Sequence, residues 1–194
     1  MAQYYFDELD PVSFQRLVNA VLTARYGDLL RVTPIRGSDG GRDAEILAEH
    51  PMIGSLLTID ATKIDEKSEQ KGSGMYLFQV KHHRLGDRRI ADVRQAVVTD
   101  FENEIKRNVL SRSGDRRVDY FFLITNVPCS AEALKKLDAL RAKLLRGQNI
   151  YADVWWQETL VAYLDLLPNV WLQFPNLFAG GIVPFVAKMC IRDS

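Results

Sequence analysis

The segment Met-Tyr-Leu-Phe-Gln-Val-Lys, at residues 75–81, has the alternating pattern of a β-strand. Because side chains alternate along a strand, Tyr76 and Phe78 face one way while Gln79 and Lys81 face the other. A segment this apolar is typical of a central strand, where an amide and an ammonium cost free energy unless they have partners. We therefore predict a central strand here, with polar partners for Gln79 and Lys81 from another part of the chain.

The candidate partners follow a glycine-rich turn, Gly-Ser-Asp-Gly-Gly at residues 37–41. A strand is predicted over residues 42–48, and on it Asp43 and Glu45 share one face because they are two residues apart. Taken singly, such residues are more often solvated strand-end groups than catalytic ones. If the two predicted strands pair with these faces aligned, however, an acid, an amide and an amine converge.

An acid, an amide and an amine in one place suit phosphodiester hydrolysis. Carboxylate and amide oxygens hold Mg²⁺, which polarises a phosphate oxygen and acidifies a water molecule. A nearby lysine such as Lys81 orients that water or offsets charge in the transition state. The candidate metal ligands are the side chains of Asp43, Glu45 and Gln79 and the backbone carbonyl of Val80.

The rest of the chain alternates between helical and strand patterns, which predicts an α/β fold with a central mixed sheet and helices on both faces. Asp10 and Pro11 supply a capping residue and a first helical residue for the opening helix. Helices are predicted over residues 11–26, 88–110, 131–146 and 158–166. Strands are predicted over residues 29–35, 42–48, 56–59, 75–81, 118–125 and 150–155.

Charge is unevenly distributed along a chain whose formal net charge is zero. Residues 81–146 carry 15 Lys and Arg against 9 Asp and Glu, which leaves 10 against 16 elsewhere. A basic middle next to an acidic first part fits phosphate binding beside a metal site, although two solvated helix faces would give the same counts. The two cysteines, Cys129 and Cys190, form no CxxC motif, which favours a reducing, cytoplasmic setting.

Three stretches, at residues 10–18, 37–43 and 78–81, together resemble the Mrr-like branch of the restriction-endonuclease (PD-(D/E)XK) superfamily. They resemble its opening helix, its glycine-rich turn ending in the catalytic aspartate, and its Gln-x-Lys strand. Residues 121–126 and 130–133 fit the later strand and helix of the family, so the resemblance spans residues 10–167. It implies a restriction-endonuclease-like, three-layer αβα fold.

The resemblance also implies roles for individual residues. Asp43 would be the principal metal ligand, Gln79 would stand where many relatives have an acidic ligand, and Lys81 would be the catalytic lysine. The implied cofactor is Mg²⁺, with Mn²⁺ as an alternative. Relatives often carry a glutamate in the opening helix where this chain has Gln15, and the missing charge leaves three open candidates for compensation: Glu8, Asp10 and Glu45.

Cationic residues on either side of the predicted site are candidate DNA contacts. As phosphate contacts they would give salt-sensitive affinity without sequence preference. The two histidines in this set have a second interpretation as exposed residues at a strand end, and we expect one of Trp155 and Trp156 to lie in the core. The candidate DNA-binding residues are Arg42, His82, His83, Arg84, Arg88 and Arg89.

We expect residues 1–175 to form the nuclease domain, residues 176–188 to begin a linker, and residues 189–194 to be a sequencing-adaptor artefact. The expected function is a metal-dependent DNA endonuclease acting on double-stranded DNA. The resemblance suggests that it is the N-terminal effector of a restriction or antiphage defence protein, with a fused C-terminal sensor or NTPase domain; a homodimer is left open. No apolar run reaches the length of a membrane span, so we expect no membrane partner. The alternatives are a non-catalytic nucleic-acid-binding module with a degenerate nuclease fold and a domain that only binds a partner protein.

Overall fold

A five-stranded sheet forms the centre of the computed structural model. Strand order along the sheet follows the order of the strands in the chain. The described residues are 4–27, 30–32, 44–48, 74–86, 88–112 and 117–177, with side chains described at all of these positions except 45–48 and 74. The strands are β1 (Leu30–Val32), β2 (Ala44–Ala48), β3 (Gly74–Lys81), β4 (Tyr120–Thr125) and β5 (Tyr151–Trp155).

β3 lies in the middle of the sheet, and the pairing directions differ on its two sides. β3, β4 and β5 run parallel to one another, whereas β2 pairs antiparallel with β3 and β1 pairs antiparallel with β2. Parallel neighbours require crossover connections, and helices supply them between β3 and β4 and between β4 and β5. The predicted α/β class is therefore confirmed, with a parallel part of three strands flanked by helices.

The helices begin and end close to the predicted positions. The long second helix is the exception, because its last turn, Ile105–Val109, has π-helical hydrogen bonding. Among the described residues, no helix combines the length and apolar character needed to cross a bilayer. The helices are α1 (Pro11–Tyr26), α2 (Ile90–Glu104), α3 (Ala131–Leu144), α4 (Gln157–Leu166) and α5 (Pro168–Trp171), and short 3₁₀ turns occur at Phe6–Glu8 and Pro175–Leu177.

Each face of the sheet has its own hydrophobic cluster. The α1-side cluster contains Phe14, Leu17 and Phe78, together with residues of α4 and α5. The α2-side cluster contains Leu77 and Phe101, together with residues of α3. Neighbouring residues of β3 thus contribute to opposite clusters, and the alternation predicted for residues 75–81 is confirmed.

The two adjacent tryptophans correct a prediction. We expected one of Trp155 and Trp156 in the core, but both are buried, with exposed fractions of 2% and 4%. Trp155, at the end of β5, packs in the α1-side cluster, and Trp156 packs in the α2-side cluster. Consecutive residues at a strand end point in opposite directions, and here each direction leads into a core.

Some sequence predictions fall outside the described residues. The strand predicted over residues 56–59 is one of them. The expected artefact at 189–194 is another, and so is the expected linker at 176–188 except for its first two residues. Those assignments stay predictions. The strand predicted over residues 29–35 is described only at Leu30–Val32, and the strand predicted over 42–48 only at Ala44–Ala48.

Candidate active site at the end of the central strands

The register between β2 and β3 sets the geometry of the site. Ala44 lies opposite Phe78, and Glu45 lies opposite Leu77. Asp43 directly precedes Ala44 in the chain, and Gln79 directly follows Phe78. Asp43 and Arg42 lie outside the described residues, and so does the side chain of Glu45. The antiparallel pairing therefore brings the beginning of β2 to the end of β3 that carries Gln79.

Gln79 lies at a deeply buried position in the middle of the sheet. Its exposed fraction is 6%, and on the parallel side its Cα pairs with Leu123 of β4. By strand alternation it shares a face with Leu77, whose side chain belongs to the α2-side cluster. An amide buried this deeply is expected to have polar partners, since desolvation without a hydrogen bond is costly. The Gln79 residue does take part in a hydrogen-bonding or electrostatic interaction.

Lys81 contacts an acidic residue that the sequence analysis did not single out. Its Nζ lies 2.9 Å from Oε1 of Glu104, the last residue of α2. The side chain of Lys81 is 34% exposed and that of Glu104 only 13%. Asn108, within the π turn, donates a hydrogen bond to the other oxygen of the Glu104 carboxylate. Both carboxylate oxygens of Glu104 are thus engaged.

The two histidines after β3 face different surroundings. The His82 ring packs against the Phe14 ring, with 5.3 Å between centroids. Burial lowers the pKa of His82 from its usual value of 6.5, outweighing the Phe6 backbone and the charge of Asp7, which act to raise it. A neutral imidazole is a weaker phosphate contact than a cation. His83 instead pairs with an acid on α2, with 3.3 Å between its Nε2 and Oδ2 of Asp100.

Asn126 fixes the backbone just past the site. It is fully buried, accepts a hydrogen bond from the His83 backbone N–H at 2.8 Å and donates one to the His83 carbonyl at 2.8 Å. Its amide also donates to Oδ1 of Asp7 at 3.2 Å. This side chain joins the ends of β3 and β4 to the 3₁₀ turn near the N-terminus. Its position directly after an apolar strand was a usable signal in the sequence.

Glu8 and Asp10, two candidates to replace the charge missing at Gln15, lie just before the beginning of α1 and not beside Glu104. Asp10 caps α1, accepting from the backbone N–H groups of Val12 at 2.9 Å and Ser13 at 3.2 Å. Glu8 is exposed, and Gln15 is half-buried on α1. Because α1 packs on the Phe78 face of the sheet, it lies across the sheet from α2 and Glu104.

The arginines expected to bind DNA lie on the surface. Arg84, Arg88 and Arg89 are exposed, and Nε of Arg89 lies 3.0 Å from Oδ2 of Asp92. They follow β3 directly and precede or begin α2, so they lie near the strand end that carries Lys81. Their accessibility is what a phosphate-contacting role requires.

The fit of Mg²⁺ to this site rests on its oxygen donors. In the described part of the chain, no three His, Cys, Asp or Glu residues are grouped so as to hold a metal ion. Gln79 supplies a buried amide oxygen, a donor of the type that Mg²⁺ accepts, whereas the two Glu104 carboxylate oxygens contact Lys81 and Asn108. A Mg²⁺ site here would depend on Asp43 for its principal acid.

Comparison with protein families, curated proteins and solved structures finds no match to this chain.

Proposed function

We propose that this chain is a Mg²⁺-dependent endodeoxyribonuclease domain with a restriction-endonuclease-like, three-layer αβα fold. Asp43, Gln79 and Lys81 form its active centre, and Val80 and Glu45 are further candidate metal ligands. The observation that carries the proposal is the antiparallel register of β2 and β3. It pairs Ala44 with Phe78. The proposed site requires this pairing, because Asp43 precedes Ala44 and Gln79 follows Phe78.

The face on which the β3 residues lie also supports the proposal. Gln79 and Lys81 share the α2 side of the sheet, at the end of the strand where β4 also ends. Ligand sites in sheets with parallel strands commonly lie at these carboxyl ends. An amide buried to 6% exposure inside a sheet is unusual for a purely structural position.

In the proposed reaction the bound Mg²⁺ supplies Lewis acidity and a water of lowered pKa. Asp43 and Gln79 would hold the ion, and the Lys81 ammonium would face the scissile phosphate and offset charge that develops in the transition state. Arg84, Arg88 and Arg89 would position the DNA backbone. Phosphate contacts of this kind predict cleavage with little sequence preference.

Plasmid cleavage tests this proposal. Wild-type protein with Mg²⁺ is expected to nick or linearise supercoiled DNA, and chelation is expected to stop it. Asp43→Ala and Lys81→Ala should each lower the rate by about 100-fold or more, because each removes a charge needed in the transition state. Lys106→Ala is the matched control, since this half-exposed lysine pairs with Glu102 on α2 and not with the site. Equal cutting by wild type and both site variants would overturn the assignment.

A second candidate function is a non-catalytic DNA-binding module. The observation that favours it is the Lys81–Glu104 pair beside an uncharged Gln79, because a paired lysine and a neutral amide leave the described site poor in acidic metal ligands. This function predicts binding that weakens steeply with salt and no cleavage at any Mg²⁺ concentration. Titrating Mg²⁺ in the plasmid assay, with binding measured in parallel, separates the two functions.

The wider setting is part of the same proposal. A nuclease domain of this type would act on double-stranded DNA as the N-terminal effector of a cytoplasmic restriction or antiphage protein. A C-terminal sensor or NTPase region would then control when it cuts. Sequencing the complete gene and expressing the full-length protein tests this part directly.

A further inference from the structure

We propose that Glu104 is the positioning residue for Lys81. The inference rests on the proposed function for its catalytic meaning, but its structural basis is independent of it. Lys81 ends β3, and Glu104 ends α2, 23 positions later in the chain. Their charged atoms lie 2.9 Å apart on the α2 side of the sheet.

Burial makes this pair different from the exposed Lys106–Glu102 pair next to it. The Glu104 side chain is 13% exposed, and a carboxylate so shielded from water needs a compensating charge. Lys81 supplies that charge. In contrast, the Lys106–Glu102 pair on the same helix is 53% and 28% exposed, and such surface pairs contribute little.

The helix geometry next to Glu104 supports a functional role. Leu110 donates its backbone N–H to the Ile105 carbonyl at 2.9 Å, the five-residue spacing of a π turn. π turns are rare and occur often at functional sites. This turn contains Asn108, whose amide donates to the Glu104 carboxylate. The Glu104 carboxylate therefore accepts a hydrogen bond from a residue of the adjoining π turn and at the same time contacts Lys81.

Two roles are available to a carboxylate in contact with the catalytic ammonium. As a positioning residue it fixes the lysine, whereas as a metal ligand it would bind Mg²⁺ in place of the acid missing at Gln79. The contacts favour positioning, because one Glu104 oxygen is occupied by Lys81 and the other by Asn108. The metal-ligand role becomes an outcome of the test.

The first measurement is independent of cleavage. Intact protein is acylated briefly with acetic anhydride, and labelling of each lysine is quantified by mass spectrometry. Glu104→Gln should raise labelling of Lys81 about threefold or more, because the ion pair no longer protects the amine. Glu102→Gln, the matched control, should leave labelling of Lys81 unchanged and alter that of Lys106 little, because that pair is exposed. Equal labelling of Lys81 in wild type and Glu104→Gln would overturn the proposal.

The second measurement uses plasmid cleavage. Glu104→Gln should lower kcat about tenfold or more while KM for DNA and the Mg²⁺ concentration at half-maximal rate stay unchanged, because a displaced lysine weakens only the transition state. Glu104→Asp, which keeps the charge, should recover part of the rate. A raised Mg²⁺ requirement would make Glu104 a metal ligand and overturn the positioning role.

Circular dichroism and thermal unfolding check that each variant is folded. Asn108→Ala is the second variant, since it removes one contact of the Glu104 carboxylate and leaves both charges in place. Its Lys81 labelling should lie between that of wild type and Glu104→Gln. If wild type does not cleave DNA but labelling responds as expected, the nuclease proposal fails and the hold of Glu104 on Lys81 stands.

Discussion

The Asn126 side chain ties together the backbone just past the candidate site. Its side-chain amide accepts a hydrogen bond from the His83 N–H and donates one to the His83 carbonyl. These two bonds link the chain just past the ends of β3 and β4, as backbone groups do within the sheet. Its third bond, to Asp7, reaches a residue 119 positions away in the chain. These long-range hydrogen bonds hold the backbone where the chain leaves Lys81.

Replacing Asn126 with alanine should lower the free energy of unfolding by roughly 2–4 kcal/mol, because two partly buried backbone groups of His83 lose their partners and the buried Asn126 side chain is removed. Urea denaturation followed by circular dichroism measures this change. Asn103→Ala, at an exposed position of α2, is the control and should leave stability nearly unchanged. A similar, small effect for both variants would contradict a clamping role for Asn126.

For single residues, the sequence predicted which face of a strand they occupy better than it predicted which residues they contact. Alternation alone placed Gln79 and Lys81 on one face, since the strand period depends only on local backbone geometry. Glu104 was missed although it stands three residues after Phe101, on the buried stripe of its helix. Its contact with Lys81 depends on how α2 packs against the sheet, which no local pattern encodes.

Among the elements, α1 is the one whose beginning the sequence determines most fully. Asp10 accepts hydrogen bonds from two backbone N–H groups and from the hydroxyl of Ser13 at 2.6 Å. These bonds lower the pKa of Asp10 from its usual value of 3.8. Pro11 follows at the first helical position, where its missing N–H costs nothing.

Asp10→Ala should therefore lower the unfolding temperature at pH 7, because the cap is lost. The pKa of Asp10 is lower in the folded state, so its contribution is present above pH 3.8 and is lost as the pH falls through the folded-state value. The difference between wild type and Asp10→Ala should thus shrink in acid. Thermal unfolding at pH 7 and pH 3 measures it, with Asp10→Asn as the control that keeps a capping acceptor. A difference that does not change with pH would contradict the charged cap.

The end of α2 shows what local patterns could not predict. The apolar periodicity continues through Ile105 and Val109, both buried, and it predicts an uninterrupted helix. The observed π turn keeps those two residues in the core but changes the hydrogen bonding between them. The apolar periodicity carries no signal for that change in hydrogen bonding.

For the whole molecule, the two clusters share one sheet, and this makes them interdependent. Phe78 and Leu77 are neighbours on β3, yet each packs in a different cluster. The same holds for Trp155 and Trp156 at the end of β5. Disruption of either face therefore disturbs the backbone that carries the other, and we expect the described domain to unfold in one step.

Leu17→Ala, in the α1-side cluster, tests this expectation. It should cost about 2–5 kcal/mol, because it leaves a cavity at a fully buried position. Tryptophan fluorescence and far-UV circular dichroism should still report coincident transitions in urea. Leu166→Ala, at a position 65% exposed, is the matched control and should change stability little. Separate transitions for the two probes would show that the clusters unfold independently.

The fold class was predictable for a physical reason that operates at this scale. Apolar strands separated by amphipathic helices can bury both faces of a sheet only by layering, so the sequence pattern by itself indicates the α/β class. The burial of both tryptophans was not predictable, since it requires knowing that the end of β5 is covered on each side.

One backbone hydrogen bond joins distant parts of the chain. The N–H of Tyr5 donates to the carbonyl of Leu177 at 2.8 Å, so the described domain starts and finishes at the same place. Asp7, two residues further on, is bonded to Asn126 beside the strand ends. Leu177 is therefore joined through Tyr5 and Asp7 to the strand ends beside the candidate site.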